Sequence, residues 1–203
     1  MDEARAVREF WFGSEPLTAA ALEQRMRDFW FADASAALDE EIRTRFAALV
    51  ERAGAGELAG WADGPRRRLS LILLLDQFPR NIFRGTARAF AYDEQALALT
   101  LSGMQSAADA ALEPPERLFF YMPLQHAESL EAQDEALAAC RRLVAEVTPE
   151  FRPVFASALG YAEQHRAIIE RFGRFPHRNA VLGRTSTPAE AQWLGAGGVR
   201  FGQ

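Results

Sequence analysis

PRRRLSLILLLDQFPRN, residues 65–81, decides the fold. Pro65 follows Gly64 and suits the first position of a helix. The run from Leu69 to Leu75 is apolar nearly all round, and a helix of that kind is buried at the centre of a globule. Its longest apolar stretch, Leu71 to Leu75, is far too short to span a bilayer. Phe78 precedes Pro79 and is pushed toward extended geometry, so the helix is expected to break there. Residues 82–85 read as a short turn. Thr86 is then expected to cap a helix over 87–102, with Phe90, Leu97 and Leu101 inward.

Working outward, residues 3–12 fit a first helix with Val7, Phe10 and Trp11 on one side. Residues 17–31 read as a second helix ending in the aromatic cluster Phe29, Trp30, Phe31. A third runs from about Asp33 to Gly54 with the stripe Leu38, Ile42, Phe46, Leu49, Val50. Pro114-Pro115 opens another helix, with Leu118, Phe119 and Tyr121 on its face and Pro123 interrupting it. Leu130, Leu137, Cys140 and Val144 form the stripe of the next. Thr148-Pro149 predicts the cap and first residue of a long helix ending at Phe172, stopped by Gly173. Thr187-Pro188-Ala189-Glu190 is a capping box before a last short helix carrying Trp193 and Leu194. No segment alternates with a period of two and β-branched enrichment. The fold class is therefore all-α: one domain over residues 1–195, a helical array or bundle of roughly eight to ten helices, and a loose tail over 196–203.

The composition is that of an ordinary globule, 49% hydrophobic and 25% charged among 203 residues. All 23 basic residues are arginine, which excludes Schiff-base and P-loop lysine chemistry. A single cysteine, Cys140, excludes an internal disulfide framework. The amino terminus has neither a basic region nor a long apolar run, so no signal peptide is read and the cytoplasm is the expected compartment. A net charge of −5 argues against nucleic acid as a partner. Neither a cofactor nor a membrane is expected. Trp30 and Trp193 suit either a homodimer face or burial.

Against that negative background, HRAIIERFGRFPHRNAVLGR, residues 165–184, holds five arginines and one acid, Glu170. Cation gathered in this way needs internal carboxylates or an external anion. The stretch contains Phe175-Pro176-His177-Arg178-Asn179, which echoes Phe78-Pro79-Arg80-Asn81. Each corner follows a long helix, and each is followed by a Gly and an Arg together: Arg84-Gly85 and Gly183-Arg184. In both, Phe-Pro anchors a rigid corner from which a guanidinium and a carboxamide project. The guanidinium is a planar fork for carboxylate or phosphate, and the carboxamide adds a donor and an acceptor. The competing reading is that the arginines tie helices together through internal acids, with Asp76, Asp93, Glu128 and Glu170 available.

Three long motifs, LILLLDQFPRNIFRGTARAFAYD, FFYMPLQHAE and YAEQHRAIIERFGRFPHRNAVLGR, resemble the bacterial domain-of-unknown-function family nine-two-four. FWFG at Phe10 to Gly13, Arg45-Phe46 and the final TPAE fit it too. The resemblance covers nearly the whole chain. It implies an all-α fold similar to tetratricopeptide-like helical arrays, and it carries no activity. One departure is Gln125 before His126 and Ala127 after it, where the family shows Glu and Ser.

Two functional readings follow. In the first, Arg80, Asn81, Arg84, Arg174, Arg178, Asn179 and Arg184 line a pocket for a small anionic molecule, with Asp76, Tyr121 and His165 near its floor. His126, Glu128 and His177 would then handle protons, which leaves hydrolytic acid–base chemistry open. In the second, a tetratricopeptide-like groove presents its arginines to an acidic peptide. A metal site at His126, His165, His177 and Glu128 is disfavoured, because His126-x-Glu128 does not place both ligands on one helix face.

Overall fold

The computed structural model describes residues 2–31 and 35–201, and all regular elements among them are helical. In chain order they are α1 (Glu3–Phe12), α2 (Ala19–Arg25), α3 (Ala36–Gly54), α4 (Pro65–Ile82), α5 (Asp93–Gln105), α6 (Pro114–Phe120), α7 (Met122–His126), α8 (Leu130–Glu146), α9 (Arg152–Phe172) and α10 (Pro188–Gly195). A π-helical segment, Met26–Trp30, follows α2, and short 3-10 turns connect several of the others.

The central helix is α4, as its all-round apolar run requires. It packs against α1, α3, α5 and α6, and Leu69 to Leu75 are all buried. Ser70 lies inside this run and is satisfied by donating to the Ala4 carbonyl at 2.7 Å, which ties α4 to α1. Phe10, Trp11, Phe46, Phe78 and Phe119 form a cluster of tilted and edge-to-face rings beside it, with centroids 5.0–6.1 Å apart. At the far side α8 and α9 pack as a pair.

Several expectations are corrected. Helix α4 does not break at Phe78; Pro79 sits inside it, and the helix runs on to Ile82. A proline there forfeits one ladder bond and crowds the carbonyl four residues back. The turn persists because Phe78, Pro79 and Ile82 are all buried in the core, and the Arg80 guanidinium adds a bond to the Asp76 carbonyl beside it. Thr86 does not cap a long helix: its hydroxyl donates to the Phe83 carbonyl, a 3-10 turn spans Ala87–Phe90, and α5 starts only at Asp93. Helix α9 begins at Arg152 rather than at Pro149, with Pro153 in its first turn, where no amide donor is needed. Helix α3 begins after Ser35, whose hydroxyl accepts from Leu38 N–H; the expected start near Asp33 lies outside the described residues. Leu101 and Leu130 are exposed, on the outer faces of their helices. Trp30 is buried, with its indole donating to the Trp11 carbonyl at 2.9 Å, so it offers no dimer face.

The end of α1 is fixed by its neighbour. Arg25 donates to the Phe10 and Trp11 carbonyls at 2.9 and 2.8 Å, satisfying last-turn acceptors that the helix leaves open. This contact and the π-helical turn after it hold Phe29 and Trp30 against α1, and Phe31 stacks instead on Phe119 and Tyr161. The long α9 ends at Gly173, whose φ of 70° is the left-handed stop that the sequence anticipates.

Candidate functional site

A cavity of about 340 Å³ opens between α1, the π-helical segment, the end of α4, α7 and α9. Of the residues singled out from the sequence, Arg80, Asn81, Arg84, His126, His165, His177 and Arg178 line it. Both Phe-Pro corners thus meet at one wall.

Asp93, the first residue of α5, joins them. Arg80 grips its carboxylate with two bonds of 2.9 Å, and Arg178 reaches the same carboxylate at 3.3 Å. Asp76, fully buried, lies 3.3 Å from Arg80 and 2.7 Å from His126 Nδ1. Burial pushes the Asp76 carboxyl up, but Arg80 and His126 overcome this and hold it well below the usual carboxylate range. Burial likewise lowers Arg80, and here Asp76 and Asp93 win, leaving it raised.

Arg178 is the exception among these cations. It is buried, and its guanidinium lies between the Phe90 and Phe175 rings at 4.6 and 4.5 Å. The long bond to Asp93 is its only side-chain hydrogen bond among the described residues, and its buried Nε has no partner. Burial, and then the charge of Arg80, lower it to about 10.

Burial disfavours the charged form of all three histidines. Burial lowers His126, followed by the charge of Arg80, against the pull of Asp76. Burial and then His126 lower His165 to about 3; burial and then Arg178 lower His177 to about 4. His165 Nδ1 is 2.8 Å from the Tyr161 carbonyl, one turn back along α9. The His126 and His165 rings stand 6.1 Å apart, and Phe201 lies parallel on His165 at 3.8 Å. Among the described residues, no group of three or more His, Cys, Asp or Glu side chains is placed to hold a metal ion.

The remaining candidates stand elsewhere. Glu128 accepts two bonds from Arg184, at 2.6 and 2.9 Å, and one from Phe175 N–H at 2.8 Å. Burial raises this carboxyl, but the Arg184 and Phe175 bonds outweigh it and leave it lowered. Arg174 is bidentate to Glu190 at 2.7 and 2.8 Å, and Asn179 joins Glu190, Ser186 and Arg184. Arg174, Asn179, Arg184 and Glu128 therefore form a network behind the second corner, as the interhelix-strut reading describes. It is Asp76, not Glu128, that bonds His126. Tyr121 does not line the cavity; its hydroxyl donates to Asp109 at 2.5 Å, and burial followed by that carboxylate pushes it up to about 12.

The opposite wall was not anticipated. It is aromatic and apolar, built from Trp11, Phe29, Trp30 and Phe31 with Tyr161 of α9. Phe119 lies behind it, 4.6 Å from Trp30 and 5.4 Å from Trp11. The FWFG and FWF clusters were the available signal, but they read equally well as core. A third flank carries Asn81 and Arg84, both bonded to Asp39 at the start of α3. Burial raises Asp39, but Arg84 and Asn81 leave it lowered.

A family model described as "Bacterial protein of unknown function (DUF924)" matches residues 7–198. A solved structure of a protein of unknown function from Agrobacterium tumefaciens is 39% identical, covering 94% of this chain and 96% of that one, with a TM-score of 0.78. No curated protein matches the chain.

Proposed function

The chain belongs to this bacterial family of unknown function, and we propose that it binds a small anionic molecule, a phosphate or a carboxylate, in the cavity that its two Phe-Pro corners wall on one side. The observation that carries the reading is the bonding of Arg178. Four of the five sequence-singled arginines here have close carboxylate partners, whereas Arg178 has one 3.3 Å bond to a carboxylate that Arg80 already grips twice. A buried guanidinium so poorly matched gains more from an incoming anion than a paired one does.

His126 is the proton-handling group in this reading. Its Nδ1–H donates to Asp76, which fixes the tautomer and leaves Nε2 as a proton acceptor without a partner among the described residues. A neutral imidazole oriented by a carboxylate can activate a water, so acid–base hydrolysis is the reaction class that suits it. The alternative, a tetratricopeptide-like groove for an acidic peptide, has less support: it wants arginines spread along a surface, and here they gather at one wall or pair internally.

A thermal-shift series with inorganic phosphate, phosphorylated metabolites, nucleotides and dicarboxylates tests the reading, repeated on Arg178→Ala. A ligand at a hundred times its Kd stabilises by about 2.7 kcal/mol, several degrees for a domain of this size. A shift in the wild type that the variant loses supports the pocket. No shift with any anion, in a protein whose Arg178→Ala variant melts much lower unaided, makes Arg178 a strut and sinks the reading.

A further inference from the structure

Resting on the anion-pocket reading, we propose that the ligand is an aromatic monocarboxylate: its carboxylate meets Arg178, and its ring is received by the wall of Trp11, Phe29, Trp30, Phe31 and Tyr161.

The sharing of bonds sets the head group. Among the described residues three arginines at the cavity, Arg80, Arg84 and Arg178, face three aspartates, Asp39, Asp76 and Asp93, and the acids are unevenly divided among them. Arg84 is bidentate to Asp39, and Arg80 is bidentate to Asp93, so one guanidinium is left under-matched. One negative charge suits that demand. A polyphosphate would bring several charges into a partly buried site whose other lining guanidiniums, Arg80 and Arg84, already hold carboxylates. Among the described residues, the buried unpartnered nitrogens on the lining are Arg178 Nε and Trp11 Nε1, which only donate, and His177 Nδ1, whose role follows its tautomer, so at least two of the three call for an acceptor.

The opposite wall sets the body. Its rings are continuous rather than scattered: Phe31 stacks with Tyr161 at 6.3 Å and with Phe119 at 6.2 Å, and Trp30 and Trp11 pack on the same Phe119. An apolar chamber facing a few convergent polar groups is the usual form of a site for an amphipathic small molecule. The chain itself supplies a precedent on the polar side, where Phe201 lies on the His165 ring at 3.8 Å and 14°. A flat ring between aromatic walls gains both buried area and offset or edge contacts. The two walls meet on α9, where Tyr161 of the aromatic wall and His165 of the polar wall stand one turn apart, the Tyr161 carbonyl 2.8 Å from His165 Nδ1.

The test is a calorimetric titration of the full chain at pH 7 with indole-3-acetate, indole-3-acetamide, acetate and inorganic phosphate. Indole-3-acetate is expected to bind at least about tenfold more tightly than each of the other three. Arg178→Gln brings its affinity down to that of the amide. Tyr161→Ala, at a half-exposed position that the fold tolerates, weakens both indole probes alike. Because the acid–amide pair probes the head group without any substitution, the result stands even if Arg178→Gln does not fold. Acetate or phosphate binding as tightly as indole-3-acetate overturns the aromatic body and leaves the anion pocket in place. Equal affinity for acid and amide overturns both. No binding of any probe at millimolar concentration by folded protein also overturns both.

Discussion

The two Phe-Pro corners echo one another, with His177 added in the second, and differ in what surrounds them. At the first, the proline is inside α4, and Arg80 is satisfied three times over by Asp93, Asp76 and the Asp76 carbonyl. At the second, α9 has already ended at Gly173, the proline opens a 3-10 turn, and Arg178 shares what Arg80 leaves of Asp93. The following asparagines diverge in the same way: Asn81 faces the cavity bonded to Asp39, while Asn179 is buried in the Glu190 network. An arginine becomes a strut or an open cation according to how many acids the rest of the fold brings to it. The motif around it does not decide.

The largest effect that tests this contrast comes from matched substitutions. Arg80→Met leaves Asp76 buried, with His126 and Gln77 as its side-chain partners. Breaking a buried pair from one side costs about 3–5 kcal/mol. Arg178→Met removes one long bond, keeps the packing between Phe90 and Phe175, and leaves Asp93 with Arg80. Its cost is expected to stay within about 1 kcal/mol. Urea unfolding of both variants reads the difference directly. Equal losses would mean that the corners are energetically alike, and the distinction between strut and site would fall.

Acid is expected to act on the histidine side of the cavity first. His165 and His177 have folded values of about 3 and 4, against an ordinary value near 6.5. Between those limits the unfolded chain binds more protons than the folded one, so stability rises with pH. The contribution is complete above about pH 6.5 and is lost as pH falls toward the folded values. For a group depressed like His165, lowering the pH from 6.5 to 5 costs about 2 kcal/mol. Asp76, held well below the carboxylate range, yields only at lower pH. Urea midpoints at pH 7, 6 and 5 should fall in the wild type and fall less in His165→Gln. A flat wild-type profile would show that the imidazoles are solvated and that the cavity wall is not as dry as its geometry implies.

Much of this was legible in the chain, because it is local. The all-round apolar run made α4 central, and the Thr187–Glu190 capping box and the Gly173 stop fell where propensity put them. What the sequence misplaced depends on tertiary support. Pro79 is tolerated in a helix because the core holds both sides of it. Seven of the candidate residues do line the cavity, and five of them, Arg80, Asn81, Arg84, His177 and Arg178, belong to the two Phe-Pro corners that the sequence marks. Arg174 and Arg184 do not, because nothing in their spacing says that Glu190 and Glu128 will fold back on them. The aromatic wall was hidden for another reason: a ring in the core and a ring beside a cavity have the same sequence, and only the π-helical turn after α2 decides which way Phe29 to Phe31 face.

The smallest effect separates the ways the two corners begin. Helix α4 leaves through Phe83 with an ordinary negative φ, whereas α9 needs a left-handed residue at 173. No atom beyond the adjacent residues lies within 4 Å of where a Cβ on Gly173 would sit, so Gly173→Ala meets only the conformational penalty, about 1 kcal/mol or slightly more. Gly160, in the interior of the same helix, has equally open space and no positive φ. Gly160→Ala should therefore stabilise by about 0.5–1 kcal/mol through helix propensity. Opposite signs from one substitution type in one helix would show that the second corner is set by the backbone at its entry. If both variants were stabilised, α9 would be free to run on past 173. The position of Arg178 would then depend on the Glu128 and Glu190 network alone.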